Sequence, residues 1–104
     1  MLFLVEMDYA TPGAALTPEL GRAFVEQVIL PTIARAEQLN EDGTIVAGGP
    51  VVGRIALRFM IEAETSAQAD RVVSSLALWP LARTLVTPLV TLAERRKHVQ
   101  DRWA

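Results

Sequence analysis

The ten residues Arg54-Ile55-Ala56-Leu57-Arg58-Phe59-Met60-Ile61-Glu62-Ala63 alternate with a period of two. Ile55, Leu57, Phe59, Ile61 and Ala63 fall on one side; Arg54, Ala56, Arg58, Met60 and Glu62 fall on the other. Successive side chains of a strand point to opposite faces, so this stretch reads as a strand with one wholly apolar face. Residues 2–9 repeat the pattern. Phe3, Val5, Met7 and Tyr9 form an unbroken apolar row, and Leu2, Leu4, Glu6 and Asp8 alternate with them. In both strands one row suits a core, and the other mixes charge with apolar groups.

Between these strands, residues 10–16 read as a loop around Pro12-Gly13. Thr17-Pro18-Glu19 then starts a helix: Thr17 can cap it, Pro18 fits the first helical position, and Glu19 favours the positive end of the dipole. Leu20, Ala23, Phe24 and Val28 share a face. Pro31 is expected to kink or interrupt this helix, because its ring clashes with the preceding turn. Ile33, Ala36 and Leu39 resume the pattern until residues 40–43 stop it. Residues 44–47 read as a short strand. Gly48-Gly49-Pro50 and Gly53 follow as a hairpin or bulge, with a ligand loop as the alternative. No helix start or Lys-Ser/Thr pair follows to make a phosphate cradle.

Past residue 63, Thr65 and Gln68 have capping-box spacing, with Ser66 as an alternative cap. Ala69, Val72, Val73 and Leu76 fall at i, i+3, i+4 and i+7, the spacing of a buried helix face. Pro80 biases Trp79 away from helical geometry and ends this helix. Residues 84–92 read as the last strand, where Pro88 argues for an edge or a bulge. The order β, α, β, β, α, β is that of a ferredoxin-like α+β domain with an antiparallel sheet. It occupies residues 1–93, and residues 94–104 form a charged C-terminal tail.

Composition narrows the function classes. The chain has 104 residues, room for one domain. Its 51% apolar content against 21% charged leaves apolar surface that an oligomer interface would cover. A net charge of −2 argues against a nucleic-acid partner. Without cysteine there is no disulfide, thiolate nucleophile or thiolate-held metal, which fits a reducing cytoplasm. The apolar runs are too short for a membrane span, and residues 1–5 lack the basic start of a signal peptide.

The mixed sheet face carries the candidate site. In this fold the first and third strands are central neighbours, so Glu6 and Asp8 share a face with Arg54, Arg58 and Glu62. Leu4, Ala56 and Met60 make that face too apolar for simple solvation. Sheet-on-sheet pairing of two copies would enclose it as a cavity. An arginine there can hold a substrate carboxylate bidentately, and Glu6 can move a proton once desolvation raises its pKa. A cross-strand ion-pair ladder is the alternative. Which of Arg54 and Arg58 faces inward depends on register near Gly53, because a slip of one residue reverses the faces. Trp79 either packs the core or lines the cavity mouth.

Other reactive residues offer less. His98 lies in the charged tail with no metal ligands at suitable spacing. Ser74 and Ser75 have no histidine nearby in sequence, against a nucleophilic triad. Trp103 and the basic residues of the tail would suit contact with a partner subunit.

Several segments together resemble the muconolactone delta-isomerase family. Met1-Leu2-Phe3-Leu4-Val5-Glu6-Met7 is similar to its Met-Leu-Phe-x-Val-x-Met start. Glu41-Asp42-Gly43-Thr44 resembles its helix-to-strand passage. Leu76-Ala77-Leu78-Trp79-Pro80-Leu81 and Val86-Thr87-Pro88-Leu89 resemble its second-helix exit and last strand. The family start carries His where this chain has Leu4, and Lys where it has Glu6. The resemblance implies ferredoxin-like subunits paired as dimeric α/β barrels, sometimes built into larger rings. It implies a proton shift within a carboxylated unsaturated lactone of aromatic catabolism, needing no metal or organic cofactor. Arg54 or Arg58 would then grip the carboxylate while Glu6 relays the proton, with Asp8, Glu62, Met60, Leu4 and Trp79 around the substrate.

Three readings follow. A cofactor-free isomerase would place an arginine and a carboxylate facing each other in a closed cavity. A non-catalytic small-molecule-binding protein would have the cavity with no carboxylate close to the ligand. A structural homo-oligomer would fill the face with partner side chains.

Overall fold

The computed structural model describes residues 1–10 and 17–103; the loop expected at residues 10–16 lies largely outside them. Four strands, β1 (Leu2–Tyr9), β2 (Ile45–Pro50), β3 (Ala56–Glu62) and β4 (Ala82–Leu89), form one antiparallel sheet in the order β2-β3-β1-β4. The helical segments are α1 (Pro18–Phe24), α2 (Leu30–Glu41), α3 (Ser66–Ser74) and α4 (Leu92–Trp103). This is the expected ferredoxin-like α+β arrangement, with one helix added at the end.

The period-two reading places the core. Phe3, Val5 and Met7 of β1 pair with Ile61, Phe59 and Leu57 of β3, and all six are buried under the helices. Leu39 of α2 and Ala69 and Val73 of α3 close that layer, with Leu76 and Leu78 after the helix. Complete burial of each large apolar side chain stabilises by about 1.5–3 kcal/mol, so this face holds the domain together.

Two helix starts form as the sequence dictates. Thr17 accepts the Leu20 N–H at 3.2 Å, and Thr65 accepts the Gln68 N–H at 3.1 Å. Gln68 in turn accepts the Glu64 N–H, so Thr65 rather than Ser66 is the cap. At the first helix's far end, the Asp42 carboxylate accepts the Thr44 N–H at 2.9 Å; the Thr44 side chain first and this N–H second hold its pKa below the usual carboxylate value. Arg35 donates to Ser75, whose hydroxyl donates to the Val72 carbonyl, so that serine has a structural task.

Elsewhere the structure refines or corrects the expectation. The α-helix is interrupted ahead of Pro31, as expected, but the chain stays helical to Glu41. The turn ahead of the proline, Val25–Ile29, widens to π geometry, and Leu30 N–H bonds to the Val25 carbonyl five residues back. That widening accommodates a residue that has no N–H and would crowd the carbonyl four residues earlier. Gly48-Gly49-Pro50 is not a turn. It continues β2, and the hairpin reverses over residues 51–55. Gly48 has φ +103°, and a Cβ there would stand 2.2 Å from the Arg58 carbonyl oxygen, so the close approach of two backbones requires glycine. The register shift expected of this region falls between Ile45 and Ala47. Finally, the last strand runs over Ala82–Leu89 rather than residues 84–92, and the charged tail is helical over residues 92–103, although none of these is buried.

Thr32 joins the two halves of the helix layer. Its side chain is buried, and its hydroxyl accepts the N–H of buried Leu78 at 2.9 Å. Thr32→Val keeps the shape and strands that donor, an expected loss of about 1–3 kcal/mol measurable by urea unfolding.

Candidate functional site on the open sheet face

The strand pairing decides which polar groups meet. Glu6 stands opposite Arg58 on β3 and Leu85 on β4; Asp8 stands opposite Ala56 and Arg83. Directly opposed residues share a face, so Glu6, Asp8, Arg58, Arg83 and Leu85 all lie on the side away from the core. Leu4 and Met60 are the next opposed pair along that face, both half-buried.

Arg58 is the centre of the group. Its Nη2 donates to both Asp8 oxygens at 3.0 and 3.2 Å, and its Nη1 donates to the Leu57 and Met7 carbonyls at 2.9 and 3.4 Å. Its Nε lies 4.0 Å from Glu6 Oε1. Arg54, from the β2–β3 turn, reaches the same Asp8 at 3.4 Å and stays more exposed than Arg58. The register question therefore resolves with Arg58 inside the sheet face and Arg54 at its margin. Asp8 is clamped by two guanidinium groups, whereas Glu6 has one distant cation. The cross-strand ion pairs expected as the alternative are present, and they surround the same residues.

Two expected members stand apart from this cluster, Glu62 at the far end of the same face and Trp79 on the helix side. Glu62 pairs with the amino group of Met1 and stands opposite Leu2. Four residues of strand separate Leu2 from Glu6, about 13 Å. Trp79 sits in a short 3₁₀ turn on the helix side, where a cavity of about 430 Å³ is lined by Asp70, Val73 and Thr84 among others. It is partly exposed there and takes no part in the open face.

Sequence reasoning missed the contribution of β4. Arg83 and Leu85 join Asp8 and Glu6 only through the β1–β4 register. Alternation through residues 82–89 could have placed both on one face, but not opposite particular partners. Leu85 is 58% exposed, an unusual position for leucine in a lone sheet. Arg54 and Arg58 lie within ion-pair distance of the two carboxylates, and exposed Arg83 stands opposite Asp8 without pairing to it, so this part of the face holds one arginine more than it has carboxylates. Beside Asp8, Tyr9, Ala10 and Arg83 line an open pocket of about 240 Å³. A face of this kind can attract an anion and hold it beside a carboxylate.

Among the described residues no cluster of three or more His, Cys, Asp or Glu side chains has a metal-binding arrangement. No helix among them is long and apolar enough to cross a membrane.

The chain is similar in fold to muconolactone isomerase, whose crystal structure was determined at 3.3 Å resolution. The two share 22% identity with a TM-score of 0.71, over 88% of this chain and 90% of that one. No curated protein matches the chain. The family model described as muconolactone delta-isomerase matches residues 1–94. That span includes all four strands and every polar residue of the open face. The chain belongs to the muconolactone delta-isomerase family.

Proposed function

We propose that this protein is a cofactor-free isomerase that moves a proton, and with it a double bond, within a small carboxylated lactone of aromatic catabolism. The observation that carries the reading is the arginine excess around Glu6 and Asp8 on the half-polar sheet face of a chain in this family. A substrate carboxylate can compete with Asp8 for Arg58 while Arg54 retains Asp8. Glu6 then takes a proton from one carbon of the bound lactone and returns it to another, leaving the enzyme unchanged. Leu4, Met60 and Leu85 supply apolar contact for the ring. A second copy laid on this face would exclude water from it, giving a homo-oligomer that works in the cytoplasm.

Incubating the full chain with muconolactone in D2O and following the product by proton NMR tests the reaction. The expected result is catalysed isomerisation. Absence of both isomerisation and deuterium uptake would overturn the assignment for that substrate. Arg58→Met is expected to lower kcat/KM by about 10²-fold, corresponding to about 3 kcal/mol for a lost charge-assisted pair. Its effect on folding stability should stay near about 1 kcal/mol, because the pair is solvent-screened.

One observation favours a second reading. The Arg58 donors are already engaged by Asp8 and two carbonyls, as a purely structural clamp would be. A non-catalytic binding or assembly protein would show the stability change in Arg58→Met with no turnover to lose.

A further inference from the structure

Helix α4 has no buried residue: Leu92 is 91% exposed, Val99 46% and Trp103 78%. Leu92, Val99 and Trp103 recur at i, i+7 and i+11, one stripe of a helix. An isolated helix of twelve residues is marginal in water, so a stable α4 needs a surface against that stripe. The family match ends at residue 94, so most of α4 is additional to the family domain.

At the other edge of the sheet a surface of matching character is open. Two adjoining cavities of about 160 Å³ each lie between α2 and the β2–β3 hairpin, sharing Thr32, Ile33, Pro50 and Leu57. Their lining is mostly apolar; Glu37 stands on the rim of one with Glu41 one turn further along α2, and Arg54 lines the far end of the other, so the acidic part of the groove is its α2 side. Ile33 remains 39% exposed there.

We infer that this groove receives the α4 helix of a second copy of the chain. The dimensions agree, since α2 and α4 each have twelve residues and are about 18 Å long. The charges agree too. Residues 92–103 hold four of the ten Lys and Arg residues and only two of the twelve acids, so the helix is basic and the remainder acidic. The α4 of the same chain cannot lie along the groove. It leaves β4, three strand spacings or about 14 Å from β2. The three Cα steps from Leu89 to Leu92 span at most about 11 Å. Docking in this way uses the helix side and an edge of the sheet, independent of any pairing through the open face.

Sedimentation of the full chain and two full-length variants tests this. Val99→Asp disables the helix stripe without touching buried structure, and Ile33→Glu disables the groove. Glu37→Arg repeats the groove test at an exposed rim position that leaves apolar packing intact. Each variant is expected to show a smaller mass than the parent, or at least a tenfold weaker self-association. An equimolar mixture of Val99→Asp and Ile33→Glu should regain a larger species, because one chain retains the helix and the other the groove. Unchanged association in Val99→Asp or in both groove variants, a parent chain that is monomeric, or a mixture that gains nothing would overturn the inference. Loss of isomerase activity without these changes in mass would bear on the proposed reaction alone.

Discussion

Glu6→Gln should lower kcat for the proton shift by about 10²–10⁴-fold while leaving KM within a few-fold, the usual range for losing a general acid–base group. Glutamine keeps the length and an acceptor oxygen but cannot take up the migrating proton. Geometry selects Glu6 over its neighbour. Asp8 makes ion pairs with Arg58 at 3.0 Å and Arg54 at 3.4 Å, whereas Glu6 lies 4.0 Å from Arg58. The carboxylate less committed to arginine is the freer proton carrier. Leu4, at the position where the resembling start carries histidine, offers no proton of its own. Steady-state kinetics of the variant, with its circular dichroism spectrum as a fold control, decides the matter. Unchanged kcat would remove Glu6 as the proton carrier, whatever the fate of the other residues.

Gly48→Ala should destabilise the domain by about 3 kcal/mol or more, which for a chain near this size is a fall in Tm of about 10–20 °C. Two costs combine. Alanine disfavours φ +103°, and its Cβ would meet Arg58 O at 2.2 Å and Phe59 Cα at 2.5 Å. Those atoms belong to the β3 backbone, so relief requires separating two paired strands rather than turning a side chain. The substitution would also displace Arg58, whose carbonyl takes the collision, and activity should fall with stability. Gly49→Ala is the control: a Cβ there has no neighbour within 4 Å and its backbone lies outside the left-handed region. Calorimetry should find its Tm within a few degrees of the parent. Equal losses in the two variants would show that strand entropy, rather than the close approach, dominates.

How much of this was legible beforehand depends on the range of the interaction. Phe3, Val5, Met7, Leu57, Phe59 and Ile61 could be assigned to the core because period-two alternation is local. The caps at Thr17 and Thr65 were legible for the same reason, since each hydroxyl bonds an N–H three residues away. The candidate site was half legible. Glu6, Asp8 and Arg58 could be placed on one face, but Glu62 was placed there without its distance along the strand, and Trp79 without knowing its side of the sheet.

Pro31 and Gly48 mark the limit from the other direction. Proline announces a missing N–H, but whether the helix breaks or widens depends on what the following turns pack against. Here Thr32 and Leu39 are buried in the helix layer, and the helix continues through a π turn. Glycine announces backbone freedom, but only the approach of β3 explains why Gly48 sits within a strand rather than at the turn.

By itself the sequence determined the βαββαβ elements, their order and the apolar faces of the two central strands, because those follow from alternation, helical spacing and caps within a few residues; the added helix α4 was not among them. Only the tertiary structure decided that Arg58 grips Asp8, that Arg83 and Leu85 join them, and that α4 stands without a surface of its own. Those outcomes depend on register and reach between segments distant in the chain, which local pattern does not encode.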